Sequence, residues 1–208
     1  MFGNIRGLLP LNNTTKVQYI SDLIKAENLF MICLTESHLN PMIANSEIQI
    51  NDWDIIRADR MGRIGGGDIC YLRKDVTPTY VKSFCNSYCE STVFYVPEVN
   101  MACITVYRPP KCPLNKFKEV ISFIYKWLNN LESDNIYPKI IINGDYNFPA
   151  MKGWSGKDMD DLIENLVTRE KDGKILSVDK VQAKELAELS QNYFLEQIIK
   201  DPTRKSNT

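Results

Sequence analysis

The chain lacks several features that would mark its class at once. It contains one histidine, His38, among 208 residues, which is too few imidazoles for a zinc site built from histidine and cysteine. No apolar run approaches transmembrane length, and the first residues do not have a signal-peptide layout. Lysine and arginine total 25 against 26 aspartate and glutamate, so the chain is not generally basic, although this balance is compatible with a local basic face. We expect a protein of the nucleus or cytoplasm, neither secreted nor membrane-bound.

Cysteine is present, but in no pattern that indicates disulfides or zinc. The six cysteines are Cys33, Cys70, Cys85, Cys89, Cys103 and Cys112. Three of them fall within apolar strand-like runs, where a thiol behaves as a small hydrophobic group. We therefore expect reduced, structural cysteines in an intracellular setting.

The chain does contain an alternation of strand-like and helix-like segments. With 208 residues and 44% hydrophobic side chains, it is long enough for one domain with a large core. Apolar, β-branched runs predict strands at 29–34, 53–57, 68–73, 91–96, 101–107 and 140–142. Helical periodicity predicts helices at 14–27, 115–132, 159–167 and 180–199, with Asp179 as the cap of the last. This pattern is typical of an α/β fold.

The most informative segment is 139–149. Its isoleucines at 140–142 fit a strand buried on both faces, and Gly144 allows a tight turn at the strand end. Asp145 and Asn147 follow, two residues apart, so they share one side if the chain stays extended. Because a carboxylate buried beside a core strand needs a compensating partner, the segment indicates a polar site on a rigid support. A simple Asx turn is the alternative interpretation.

Two other apolar strands also end in polar side chains. The strand at 29–34 is followed by Glu36, and the strand at 101–107 ends in Tyr107 and Arg108. If these strands are central, their ends meet in one cleft. Carboxylate and amide oxygens suit Mg²⁺, whose shell a phosphate can complete, and a phenol can donate to a phosphate oxygen. The sequence therefore predicts a site for Mg²⁺ and a phosphate ester.

A basic segment precedes a glycine turn. Arg57, Arg60 and Arg63 lie just before the three glycines at 65–67. Guanidinium groups match phosphate geometry, so we predict that these arginines, together with Arg108, bind substrate; a solvated loop is the alternative for each. The glycines do not form a P-loop, because no Lys-Ser or Lys-Thr follows them.

Six segments, in matching order and spacing, resemble the endonuclease/exonuclease/phosphatase family, and most of all the apurinic-type endonuclease domain of non-LTR retrotransposons. They are Asn4–Leu8, Leu34–Leu39, Arg57–Gly67, Tyr107–Pro110, Asn143–Pro149 and Asp201–Arg204. The resemblance covers nearly the whole chain. It implies a single domain over 1–208 with a four-layer α/β/β/α sandwich, in which two packed mixed sheets are flanked by helices, here incomplete at both ends.

The resemblance also implies a reaction and roles for particular residues. It implies Mg²⁺-dependent hydrolysis of DNA phosphodiester bonds, with Mn²⁺ as an alternative ion, in which Glu36 binds the metal and Asn4 supports it as a further ligand. Tyr107 would contact the scissile phosphate, and Asp145 and Asn147 would position the attacking water and the transition state. The nicked strand would prime reverse transcription, and the domain would be joined to a reverse transcriptase in a longer product.

Some positions depart from the family pattern. An Asp in a later strand and a final Ser-Asp-His do not occur in the sequence, so we expect little or no cleavage by this chain. His38 stands where relatives often carry Trp, and we interpret it as a local substitution; Asp68 stands where an apolar residue is usual. Two further hypotheses stay open: an inactive or domesticated fragment that binds nucleic acid or a partner, and a hydrolase of the same fold acting on small phosphate esters.

Overall fold

The structure, a computed structural model, describes residues 1–9, 15–62, 65–148, 178–196 and 198. The chain divides into two compact units, Met1–Asn147 and Phe148–Thr208. The helix predicted at 159–167 lies outside the described residues, and a single domain spanning 1–208 stays a prediction. Within the described part of the chain, no helix is long and apolar enough to cross a membrane.

The first unit is built on two four-stranded sheets. Its strands are β1 (Phe2–Asn4), β2 (Met31–Thr35), β3 (Trp53–Ala58), β4 (Asp68–Arg73), β5 (Thr79–Cys85), β6 (Glu90–Val96), β7 (Met101–Tyr107) and β8 (Lys139–Asp145). Sheet A has the order β1-β2-β4-β3, and sheet B has the order β5-β6-β7-β8. Each sheet is mixed, because the β1–β2 and β7–β8 pairs are parallel and the others are antiparallel.

Two helices flank these sheets. Helix α1 (Thr15–Ala26) packs Ile20 and Ile24 against one face of sheet A. Helix α2 (Leu114–Ser133) buries a stripe of side chains with helical spacing and contacts β6 of sheet B. Helix α3 (Val178–Asn192) belongs to the second unit. The predicted α/β fold of two mixed sheets with flanking helices is confirmed.

Strand β2 explains why an uninterrupted apolar run is needed in sheet A. Successive side chains point to opposite faces of a sheet. Met31 and Cys33 therefore face sheet B, where they pack with Phe94, while Ile32 and Leu34 face helix α1. Both faces of β2 are covered, and all five of its residues are buried.

Three features differ from the sequence predictions. Residues 140–142 are only half-buried, because in the described part of the chain β8 lies at the edge of sheet B and pairs with β7 alone. Strand β5 was not predicted, since it is half-exposed and lacks an apolar run. Helix α3 begins at Val178, so Asp179 lies inside the helix and is not its cap.

Candidate active site

The strand registers place a row of polar residues at one end of the interface between the sheets. On sheet A, Thr35 pairs with Asn4 of one neighbouring strand and with Asp68 of the other. On sheet B, Tyr107 pairs with Glu90 of one neighbouring strand and with Asp145 of the other. By the two-residue alternation of strands, these six side chains point to the same faces as the cysteines and Phe94 that fill the space between the sheets. We call these six residues the polar layer.

A short hydrogen bond links the two rows of the polar layer. Asn4 Nδ2 on sheet A donates to Asp145 Oδ2 on sheet B over 2.7 Å. The other carboxylate oxygen, Oδ1, accepts from the backbone N–H of Asn147 at 3.2 Å. The Asn147 side chain in turn donates to the carbonyl oxygen of Arg108 at 3.0 Å. Both oxygens of Asp145 are thus oriented by protein donors, which fixes the direction of this carboxylate.

Glu36 and His38 lie just beyond the end of β2 on an unusual backbone. Both are non-glycine residues in the left-handed region, with φ of 55° and 56°, a conformation that persists only where the surroundings hold it and that is frequent at functional sites. Backbone hydrogen bonds from Ser37 N to Gly67 O and from His38 N to Gly66 O supply that support. Ser37 is fully buried while its two neighbours reach the surface.

Tyr107 is the common neighbour of the two predicted acids. Its side chain is buried, and burial raises the pKa of the phenol; the charge of Glu36, a hydrogen bond with that carboxylate and the charge of Asp145 raise it further, against an opposing effect of Arg60. Glu36 and Asp145 therefore both act on one hydroxyl. The structure brings together Asn4, Glu36, Tyr107, Asp145 and Asn147.

Arg60 has a different environment from the one predicted. It is 7% exposed and forms a two-pronged ion pair with Glu90, from Nε to Oε1 at 2.6 Å and from Nη2 to Oε2 at 2.8 Å. Its Cζ lies 5.0 Å from the ring centroid of Tyr107, within the range of a cation–π contact. A Cβ at Gly66 would lie 2.2 Å from Arg60 Cζ, so the glycine makes room for the guanidinium. These contacts hold the Arg60 guanidinium over the ring of Tyr107.

Arg57 and Arg108 are also held by the protein. Arg57 donates to the carbonyl oxygens of Asn40 and Ile43 and to Asp59. Arg108 is fully buried, and its Nη1 donates to two carbonyl oxygens of the segment that follows β8. Arg63 lies outside the described residues. Substrate binding by these arginines and by Arg60 stays a prediction, and the observed contacts fit internal support better.

Sequence reasoning assigned no role to Asp68 or Glu90. Asp68 is fully buried and, among the described residues, neither of its carboxylate oxygens has a hydrogen-bond partner; the same holds for the hydroxyl of Thr35 beside it. Burial, and then the charges of Glu90 and Cys70, hold the pKa of Asp68 well above its ordinary value, against Arg60. The register of β4 with β2 places Asp68 beside Thr35. The one signal of this site in the sequence was an aspartate at a position where the family usually has an apolar residue.

We expect the stability of the Asp68→Asn variant to fall less than that of the wild type as pH rises from 4 to 8. With its pKa raised in the folded state, Asp68 binds a proton there that the unfolded chain has released above about pH 4. Stability from this group is therefore full below the unfolded pKa and is lost as pH rises toward the folded pKa. Urea unfolding between pH 4 and pH 8 measures the effect. Parallel curves for the two proteins would contradict the assignment.

Comparisons with known proteins agree with this fold. No protein-family model and no curated protein matches the sequence. Among solved structures, the 3′ phosphatase NExo of Neisseria bound to a product DNA hairpin superposes with a TM-score of 0.54 and 15% identity, over 90% of this chain and 69% of that one. An AP endonuclease from Archaeoglobus fulgidus superposes with a TM-score of 0.51 and 10% identity, over 90% of this chain and 69% of that one. Truncated TDP2 of Caenorhabditis elegans superposes with a TM-score of 0.51 and 12% identity, over 70% of this chain.

These identities show a shared fold and not a shared activity. This chain spans 60% of the Caenorhabditis elegans structure. The two mixed sheets with flanking helices are those of an α/β architecture found in DNA-processing phosphatases and endonucleases.

Proposed function

We propose that the chain is a divalent-metal-dependent hydrolase of DNA phosphodiester bonds, acting as an endonuclease. The observation that carries the proposal is the orientation of Asp145 by Asn4 and Asn147 beside Tyr107 and Glu36. An oriented carboxylate can accept a proton from an attacking water, and a phenol can bind a phosphoryl oxygen. The fold supports the same class, since two structures that share it are a 3′ phosphatase bound to product DNA and an AP endonuclease.

The donor groups of the site fit a hard divalent cation. Glu36 keeps 20% of its side chain exposed at the cleft, and Asn4 retains a second lone pair on Oδ1 beyond the one used by Arg6 N. Glu36 would hold Mg²⁺, or alternatively Mn²⁺, with Asn4 in support. When bound, the ion supplies Lewis acidity toward a phosphoryl oxygen and the leaving alkoxide.

Each protein group then has a distinct task. Asp145 takes the proton of the attacking water, and its fixed direction restricts where that water lies. Tyr107 stays protonated at neutral pH, because its pKa is raised, so it acts as a hydrogen-bond donor to the phosphate. Asn147 has a φ of 47°, and its side chain donates a hydrogen bond to the backbone of Arg108. In this position its amide would lie beside the oxygen atoms of the phosphate.

The test is nicking of supercoiled plasmid by excess protein with Mg²⁺ or Mn²⁺, which detects one break per circle. Wild-type cleavage is expected to be weak. We expect Asp145→Asn to lower it by about 10²-fold or more, because proton transfer by a positioned base contributes 10²–10⁴-fold. Glu132→Gln, which removes an exposed carboxylate of helix α2, is the matched control and should leave the rate unchanged. Undiminished nicking by Asp145→Ala would refute the site assignment.

Two finer parts of the proposal rest on the sequence resemblance. We propose that the DNA nick primes reverse transcription and that the domain is joined to a reverse transcriptase in a longer product. Absence of nicking, together with a salt-dependent gel shift on DNA, would favour the alternative of nucleic-acid binding without hydrolysis. Turnover of small phosphomonoesters in place of plasmid would favour the hydrolase of small esters.

A further inference from the structure

The imidazole of the only histidine in the chain lies beside the proposed metal ligand. His38 Nε2 is 3.9 Å from Glu36 Oε2, and the two side chains are 38% and 20% exposed. This separation is longer than a hydrogen bond, whose N···O distance is at most about 3.2 Å. Two ligand atoms that each bond one ion at about 2.1 Å lie roughly 3–4 Å apart, so the distance suits two donors on a common cation.

Two glycines leave room for the imidazole beside Glu36. Glycine backbone borders the ring on two sides: a Cβ at Gly7 would lie 3.2 Å from Nδ1 of His38, and a Cβ at Gly65 would lie 3.7 Å from Nε2. Both glycines have positive φ, at 85° and 87°, so side chains are disfavoured at these positions for two reasons. A side chain at either position would crowd the imidazole, so the glycines allow the ring to lie beside Glu36.

The other oxygen donors of the site also make hydrogen bonds within the protein. Asp145 accepts a hydrogen bond at each carboxylate oxygen, and the Asn4 amide both donates to Asp145 and accepts from Arg6 N. Glu36 and the adjacent imidazole are both partly exposed to solvent. A centre with one carboxylate and one imidazole differs from the all-oxygen set that Mg²⁺ prefers.

We propose that His38 is a protein ligand of the divalent cation together with Glu36, and that this makes the centre prefer Mn²⁺ over Mg²⁺. The inference rests on the proposed metal-dependent function and specifies its cofactor. Imidazole nitrogen binds transition-metal ions more strongly than Mg²⁺, which binds carboxylate, carbonyl and water oxygens. On this proposal His38 is a local substitution that adds a metal ligand.

The test uses the full chain and Mn²⁺ itself. Titration followed by electron paramagnetic resonance gives the affinity, and electron spin-echo modulation detects a ¹⁴N nucleus bound directly to the ion. We expect ¹⁴N modulation in the wild type and its loss in His38→Gln, with Mn²⁺ affinity lowered about tenfold or more and Mg²⁺ affinity changed much less. Glu132→Gln is the control for adventitious surface binding. His38→Asn is the second variant, should His38→Gln fail a circular dichroism check of folding.

The outcomes separate this inference from the proposed function. Mn²⁺ binding that requires Glu36, without ¹⁴N modulation, would overturn the role of His38 and leave metal-dependent hydrolysis standing. Equal losses of Mn²⁺ and Mg²⁺ affinity in His38→Gln would contradict the claimed preference. Failure of the wild type to bind either ion would overturn both proposals.

Discussion

Gly144→Ala is expected to destabilise the first unit by at least about 3 kcal/mol, enough to prevent accumulation of folded protein. Gly144 pairs with Val106 in the parallel β7–β8 ladder, and a Cβ at this position would lie 1.8 Å from the Val106 carbonyl oxygen. The backbone φ of 145° is in addition one that side chains rarely adopt. The obstacle is backbone and not a flexible side chain, so the strand itself would have to move.

Gly3→Ala is the matched control, because it adds the same methyl group to a strand of the other sheet. A Cβ at Gly3 would meet only Leu34 Cδ2, at 3.6 Å, an ordinary van der Waals distance. We expect a change in the free energy of unfolding of less than about 1 kcal/mol. Urea denaturation or thermal melting measures both variants. Similar stabilities for Gly144→Ala and Gly3→Ala would contradict the close contact between β8 and β7 on which this prediction rests.

Glu90→Ala is expected to cost about 3–5 kcal/mol of stability, because it leaves a buried guanidinium without its partner. The carboxylate of Glu90 is fully buried and holds Arg60 through two hydrogen bonds and the backbone N–H of Gly67 through a third, at 3.2 Å. Its removal also frees Arg60 from its position over the Tyr107 ring. Any variant that still folds should therefore lose the phosphate binding that we propose for Tyr107.

A second ion pair of equal length provides the contrast. Arg73 Nε lies 2.6 Å from Asp75 Oδ1, but both side chains are largely exposed. Solvent screening leaves such an exposed pair little net stabilisation, so Asp75→Ala should leave the unfolding midpoint nearly unchanged. A loss of stability from Asp75→Ala as large as that from Glu90→Ala would show that burial does not govern the difference.

Local sequence was sufficient to predict the elements that carry the site. Strands β2 and β7, which lead to Glu36 and Tyr107, are covered on both faces. A strand buried on both faces has an uninterrupted apolar run in its sequence, so both strands could be predicted. Glu36 follows β2 of sheet A, whereas Asp145 ends the half-buried β8 of sheet B, so the packing of the two sheets, which no local pattern encodes, brings the two acids together. β5 left no comparable signal, since a half-exposed strand of mixed composition resembles a loop.

What the sequence could not provide is the pairing between distant segments. Arg60 was interpreted as a phosphate ligand because guanidinium groups match phosphate geometry, whereas in the structure it is buried and paired with Glu90, 30 residues later. Asp68 reaches the polar layer only through the register of β4 with β2. The half-burial of β8 likewise depends on which strands border it. These are properties of sheet order, and no local pattern of charge or hydrophobicity encodes them.

The central claim is that one divalent ion binds where Asn4, Glu36, Tyr107 and Asp145 converge. The most direct measurement is a ¹⁵N-resolved NMR spectrum recorded with substoichiometric Mn²⁺, whose paramagnetism broadens the nearest signals. We predict that the side-chain amide signals of Asn4 and Asn147 broaden first, while those of Asn129 and Asn130 on helix α2 stay sharp. Broadening centred on the helix α2 amides, with Asn4 and Asn147 unaffected, would contradict the account.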